Sequence, residues 1–167
     1  MITPAHAQMM ARYNVWQNQS LYDAADTLTD DERQQDRAAF WGSMHGTLKH
    51  VLWGDQIWMS RFDGTAAPIA PNEPVSAHDL STWDGLKRAR VEFDETIVAW
   101  TDRLTEDWLR DDLTWYSGAA GQHVTKAKWI LVTHFFNHQT HHRGQVHCML
   151  TQAGAKPDDT DLFLRAE

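Results

Sequence analysis

One segment near the C-terminal end constrains the fold more than any other: His138-Gln139-Thr140-His141-His142-Arg143-Gly144-Gln145, set inside a run with helical apolar spacing. Leu131, Phe135, His138, His142, Val146 and Met149 recur at intervals of 4, 3, 4, 4 and 3 residues. On a helix they occupy an arc of about 80°. His138 and His142 therefore stand one turn apart on the buried stripe of a long amphipathic helix. A lone inward histidine is ordinarily a hydrogen-bonded core residue. Two at helical pitch offer rigidly held neutral nitrogens to a metal ion. Ten histidines in the chain make chance pairs common, so the stripe decides which ones count. His134 and His141 fall beside it, as flanking residues next to the ligands. His147 falls on the opposite side and reads as solvated.

Three further long helical patterns precede this one. Thr3 and Pro4 cap and open the first, in which Met9, Tyr13, Trp16, Ser20 and Ala24 form the apparent inner stripe to about Leu28. Thr29-Asp30-Asp31-Glu32 reads as a capping box before a short turn. The second long helix runs from about Ser43 to Phe62 and carries His50, with Gly46 and Gly54 four residues to either side. Glycine costs a helix interior about 1 kcal/mol relative to alanine. The pair implies space around the His50 imidazole, or close helix contact, or both. Residues 63–77 hold Gly64, Pro68, Pro71 and Pro74 and read as a long crossover loop. The third helix starts near Ser76 or Asp79 and runs to about Leu104, with Trp83, Leu86, Phe93, Ile97, Trp100 and Leu104 inside. Arg90 interrupts that stripe, either snorkelling to solvent or meeting an anion in a cavity. Around Gly118 and Gly121 the chain reads as a small hairpin or irregular excursion. The fourth helix spans about Thr125 to Ala153, stopped by Gly154. Leu162, Phe163 and Leu164 in the tail are expected to pack back on the helices.

Composition bounds the function. The 167 residues suit one domain with a full core, and the formal net charge of −8 argues against a surface that tracks nucleic-acid phosphates. No apolar run is long enough for a membrane span, and the N-terminus lacks a signal-peptide pattern. A single cysteine, Cys148, leaves no internal disulfide and fits a reducing cytoplasm. Nine tryptophans must line a core, a cavity or an interface, which leads to the expectation of a homodimer through faces rich in Trp and Leu.

A metal site needs a third ligand. His50 is the best candidate, and His45, about 140° around the same helix, cannot share its face. Three histidines leave a fourth position for water or substrate. Zinc or nickel is the first expectation for the ion and iron the next, and imidazole also suits copper. Rival motifs fail on their letters. A metalloprotease helix has Glu where Gln139 stands. No Glu has a His three residues on, as a carboxylate-bridged di-iron bundle needs, and Cys-x-x-Cys-His for covalent haem attachment is absent; a b-type haem between His50 and a histidine of the fourth helix stays open as an alternative.

Tyr13-Asn14-x-Trp16-x-Asn18, then residues 43–61 with His50, Asp55, Trp58 and Arg61, then His142-Arg143-Gly144-Gln145-Val146, together resemble the DinB family over nearly the whole chain. The resemblance implies an all-α, up-up-down-down four-helix bundle over residues 1–167, with a long crossover between helices two and three, often dimeric. It also implies one divalent metal held by three histidines, by position His50, His138 and His142. Related bundles include S-transferases that use low-molecular-weight thiols, and hydrolase-like members. The implied reading is therefore a metal-dependent transferase acting with a small thiol and an electrophile, with Arg61 or Arg90 to hold a carboxylate of the thiol. Its alternatives are a metal-dependent hydrolase and a non-catalytic metal or ligand-binding bundle. The family name refers to DNA damage and implies no DNA chemistry.

Overall fold

A computed structural model describes residues 1–164. The chain is mostly helical with one small sheet. Four long helices, α1 (Pro4–Asp26), α3 (Met44–Asp63), α4 (Trp83–Thr101) and α6 (Lys128–Gln152), are accompanied by the short α2 (Asp30–Gln34) and α5 (Glu106–Arg110). Strands β1 (Asp112–Ser117) and β2 (Gln122–Ala127) pair antiparallel, with Trp115 opposite Val124. Each of α1, α3 and α4 begins on a Thr or Ser whose hydroxyl accepts a backbone N–H of the first turn, at Thr3, Ser43 and Thr82. The crossover is longer than the sequence suggests. Thr82, not Ser76 or Asp79, caps α4. α6 starts at Lys128, because the residues from Thr125 to Ala127 complete the hairpin. Gly154, with φ +86°, follows the end of α6 in a conformation that glycine adopts without strain.

The four long helices pack in a ring: α1 against α4 and α6, and α3 against α4 and α6. The core falls into two apolar clusters. One includes Leu21, Ala25, Met44, Leu48, Leu52, Leu86 and Leu150, and the other includes Ala7, Ala11, Met59, Ile97, Trp100, Leu131 and Phe135. The order in which each helix visits the clusters gives its direction. α1 and α6 pass from the second to the first, while α3 and α4 pass from the first to the second. The first two long helices are therefore antiparallel, which corrects the expected up-up start. α1 and α6 are parallel neighbours, and so are α3 and α4, which are consecutive among the long helices and therefore need a long connection.

Between the clusters lies a polar layer that periodicity alone conceals. The inner face of α1 carries Asn14 and Asn18, 1 % and 3 % exposed, rather than Tyr13 and Trp16. Gln139 Nε2 donates to Asp55 Oδ1 at 2.8 Å, and Asn14 Nδ2 donates to Gln139 Oε1. Arg90 pairs with Asp55 at 2.6 Å and with Asp94 at 2.9 Å, and Asn18 Nδ2 donates to both Asp94 oxygens. Arg90 thus neither snorkels nor awaits an anion. Arg143, 5 % exposed, adds a second buried guanidinium, so two arginines balance two aspartates. Burial still pushes the Asp55 carboxyl up to about 6 against its partners.

The tail also departs from expectation. It is strapped across α1 by polar groups: Asp158 N–H to Ser20 Oγ, Gln17 to the Asp159 carbonyl and Tyr13 OH to the Thr160 carbonyl. Phe163 and Leu164 remain 77 % and 54 % exposed. Tyr13 and Trp16 face this strap, which is why aromatic residues occupy the outer side of α1. No helix among the described residues is long and apolar enough to cross a membrane.

Candidate metal centre

α3 and α6 bring His50, His138 and His142 together, with one ring nitrogen from each within 4.8 Å of the others. The Nε2 atoms of His50 and His138 stand 3.2 Å apart. Two nitrogens bound tetrahedrally to one ion at about 2.0–2.1 Å would stand about 3.3 Å apart, so the spacing fits a shared ion. Tautomers agree with this. His50 Nδ1 lies 3.2 Å from Asn72 Oδ1, and His142 Nδ1 lies 2.8 Å from Gln145 Oε1. Carboxamide oxygens only accept, so both Nδ1 atoms carry the proton and both Nε2 lone pairs face the centre. Two facing lone pairs repel until a cation lies between them.

Gly54 has a different task from the one its spacing suggests. A Cβ at position 54 would lie 2.7 Å from His138 Cε1, so the glycine makes room for His138. At Gly46 an added Cβ would run into the Trp41 carbonyl, so this glycine makes room for the backbone that carries Trp41. His50 is instead stacked under Trp41, with ring centroids 4.0 Å apart, and flanked by Trp53 at 5.3 Å.

Asn72 is not marked by the sequence at all, and Gln145 stands there only as a letter of the motif, without a role. Gln145 follows His142 at helical i,i+3 spacing, a signal that could have found it. Asn72 sits in the crossover loop, where no periodicity operates. It adopts φ +60°, which Asn tolerates better than most residues. The loop is fastened to α3 on both sides of it: Trp53 Nε1 donates to the Ala70 carbonyl, Lys49 pairs with Glu73, and the Gln56 amide exchanges two bonds with the Val75 backbone. Asn72→Ala should weaken metal binding about 10–100-fold by freeing the His50 ring. Competition titration against a chromogenic chelator reads this directly, and an unchanged affinity would remove Asn72 from the centre.

The remaining candidates divide into two groups. His134 and His141 adjoin the triad, with His134 6.0 Å from His138 and His141 4.9 Å from His142 between ring centroids. Gln145 also reaches His141 at 3.4 Å. Arg61 lies further along α3, its guanidinium over Trp58 and Trp115. Arg90 belongs to the polar layer, not to the triad. His45 contacts the Leu80 carbonyl at 3.0 Å and does not join. Gln139 is neighbour to His138 in sequence, but about 100° around the helix it points into the polar layer. A cleft of about 630 Å³ between α1 and α4 does not include the histidines. Among the described residues, ligand atoms of three histidines, cysteines or carboxylates converge at the triad alone.

Burial, reinforced by the neighbouring imidazoles, depresses His50 to about 4 and His138 to about 3, and burial lowers His142 as well. All three are neutral and ready to ligate at pH 7. An unfolded chain takes up these protons near 6.5. Between that value and the folded ones the unfolded state binds more protons, so stability falls as the pH drops below 6.5 and this contribution levels off below about 3. Metal-free protein should accordingly show a melting temperature that declines from pH 7 to 5. The decline should shrink in His138→Ala, and identical slopes in the two proteins would contradict it.

Comparison with known proteins follows the same lines. The family model for the DinB family matches residues 1–167. Protein DinB of Bacillus subtilis (strain 168) is 27 % identical over 160 residues, covering 91 % of this chain and 90 % of that one. The crystal structure of a DinB-like protein from Bacillus cereus shares the fold with a TM-score of 0.63 at 18 % identity, over 86 % of this chain and 90 % of that one. With the whole chain matched and a histidine triad between its helices, this protein belongs to the DinB family.

Proposed function

We propose that the four long helices act as a DinB-type four-helix bundle holding one divalent ion, and that the ion activates a small thiol for transfer to an electrophile. The convergence of His50, His138 and His142 without a carboxylate carries this reading. Three neutral imidazoles leave the site net positive once loaded, which suits an incoming thiolate. When bound, the cation would supply the depression of the thiol pKa and one open coordination position. The protein's part is to hold the Nε2 lone pairs of His50 and His142 inward through Asn72 and Gln145, and to wall the site with Trp41, Trp53 and Trp58. Hydrolysis through metal-bound water fits less well, since it calls for a proton acceptor. Gln139, the residue that stands where a proteolytic Glu would, is committed to Asp55 and Asn14.

Zinc or nickel is the ion we expect, in a cytoplasmic homodimer. The exposed apolar residues Val15 and Val91 flank the α1–α4 cleft and offer the dimer face, in place of the Trp-rich and Leu-rich surface that composition suggests. Sedimentation at micromolar concentration should give twice the 19.2 kDa chain mass. The transfer reading is tested with cobalt-substituted protein titrated with simple thiols. A sulfur-to-cobalt charge-transfer band that saturates supports it. A closed ion that no thiol reaches defeats it.

A further inference from the structure

The surface next to the triad continues away from it as a strip that ends in a cation. On α3, His50, Gly54, Ile57 and Arg61 fall within about 60° of one another. Arg61 lies about 16 Å along the helix from His50, and about 10 Å from Gly54, where the His138 ring rests. The surface between is aromatic: Trp58 meets His134 edge-on at 5.2 Å, and His134 adjoins His138. The hairpin supplies the far wall, with Trp115 5.6 Å from Trp58.

Arg61 is held in an unusual state. Its guanidinium carbon lies 4.7 Å from the centre of Trp58 and 5.8 Å from that of Trp115. Among the described residues it has no hydrogen bond and no carboxylate partner. Arg103 and Arg110, by contrast, are engaged: Arg103 pairs with Asp63, and Arg110 with Glu106. Burial alone lowers its pKa, with no acid nearby to offset it. The carbon of the guanidinium is engaged by the two rings while its N–H groups carry no hydrogen bond among the described residues, and those N–H groups are the part that forks onto an oxyanion.

We infer that Arg61 is the anion-binding end of an elongated substrate site. The ligand class is a thiol whose sulfur reaches the metal, whose middle lies over Trp58 and His134, and whose carboxylate or phosphate meets Arg61. This inference rests on the thiol-transfer reading for one end of the ligand, while the anion end stands on Arg61 alone. The competing account is that Arg61 only pins the hairpin by stacking, in which case its loss lowers the melting temperature and leaves ligand preference unchanged.

The test uses full-length cobalt-loaded protein and its Arg61→Gln variant, titrated with mercaptooctanoate, mercaptooctanol and mercaptoacetate while the charge-transfer band is followed. The wild-type protein should bind mercaptooctanoate about 10-fold more tightly than mercaptooctanol, as expected for a charge-assisted contact. The preference should vanish in Arg61→Gln, with the alcohol bound as before. Mercaptoacetate, too short to span the strip, should be indifferent to the substitution. A mercaptooctyl phosphate arm reports whether phosphate serves as well as carboxylate. Equal affinity for acid and alcohol in the wild-type protein, or a preference that survives Arg61→Gln, overturns the inference. If no thiol gives a band, the transfer reading fails separately. The anion end is then decided by the Arg61 Nε–Hε resonance of zinc-loaded, nitrogen-15-labelled protein titrated with octanoate. A saturable shift sustains the inference. A response no larger than that of the exposed Arg12 overturns it.

Discussion

Asp55→Ala should cost the protein about 3–5 kcal/mol of folding stability, the penalty typical of breaking a buried ion pair by removing one partner. Asp55 is fully buried and accepts from Arg90 and Gln139, so its loss strands two donors at once. Arg90 keeps Asp94, but the four buried charges no longer balance. The layer joins α1, α3, α4 and α6, so the damage is not confined to one helix. Urea denaturation of the metal-free protein measures the effect without interference from the ion. A loss below about 1 kcal/mol would mean that water reaches these groups and that the layer is not a dry network.

Gly54→Ala should have the opposite profile: a fold at least as stable, and a metal centre that fails. Alanine favours the helix by about 1 kcal/mol. The new Cβ, however, would lie 2.7 Å from His138 Cε1. The imidazole is the far end of a rotatable side chain and can swing aside at little cost to folding. Swinging aside carries its Nε2 away from His50. The affinity loss should exceed the roughly 10–100-fold typical of a lost outer partner, because a ligand itself is displaced. Calorimetric titration with zinc and a thermal melt of the metal-free variant check both halves. Metal affinity retained in Gly54→Ala would mean that His138 is not a ligand.

These two substitutions also mark what could be read from the chain directly. The triad was legible because its ligands obey periodicity: His138 and His142 sit on the stripe of α6, and His50 sits on α3 with Gly54 one turn away. The same reasoning assigned the helices but misread the inner face of α1, since it searched for apolar residues where the structure buries Asn14 and Asn18. Their burial is favourable only through partners on other helices, Gln139 and Asp94, which are distant in sequence. Arg90 was misread in part for the same reason, since Asp55 comes from α3; Asp94, one turn along its own helix, was a local signal that an apolar stripe does not weigh. Helix direction was likewise beyond local pattern. It is set by which ends share a cluster, as Ala11 with Phe135 and Leu21 with Leu150. Asn72 lies in a loop held by a few specific bonds, and such bonds leave no periodic trace.

The central claim is that three histidines hold one ion, and X-ray absorption at the zinc edge of stoichiometrically loaded protein tests it most directly. The account predicts about one zinc per chain, with imidazole scattering from three nitrogens at about 2.0–2.1 Å. One imidazole should be lost in His138→Ala, and a sulfur scatterer near about 2.3 Å should appear when a thiol is added. A protein that retains no zinc at neutral pH, or an imidazole count that His138→Ala leaves unchanged, would contradict it.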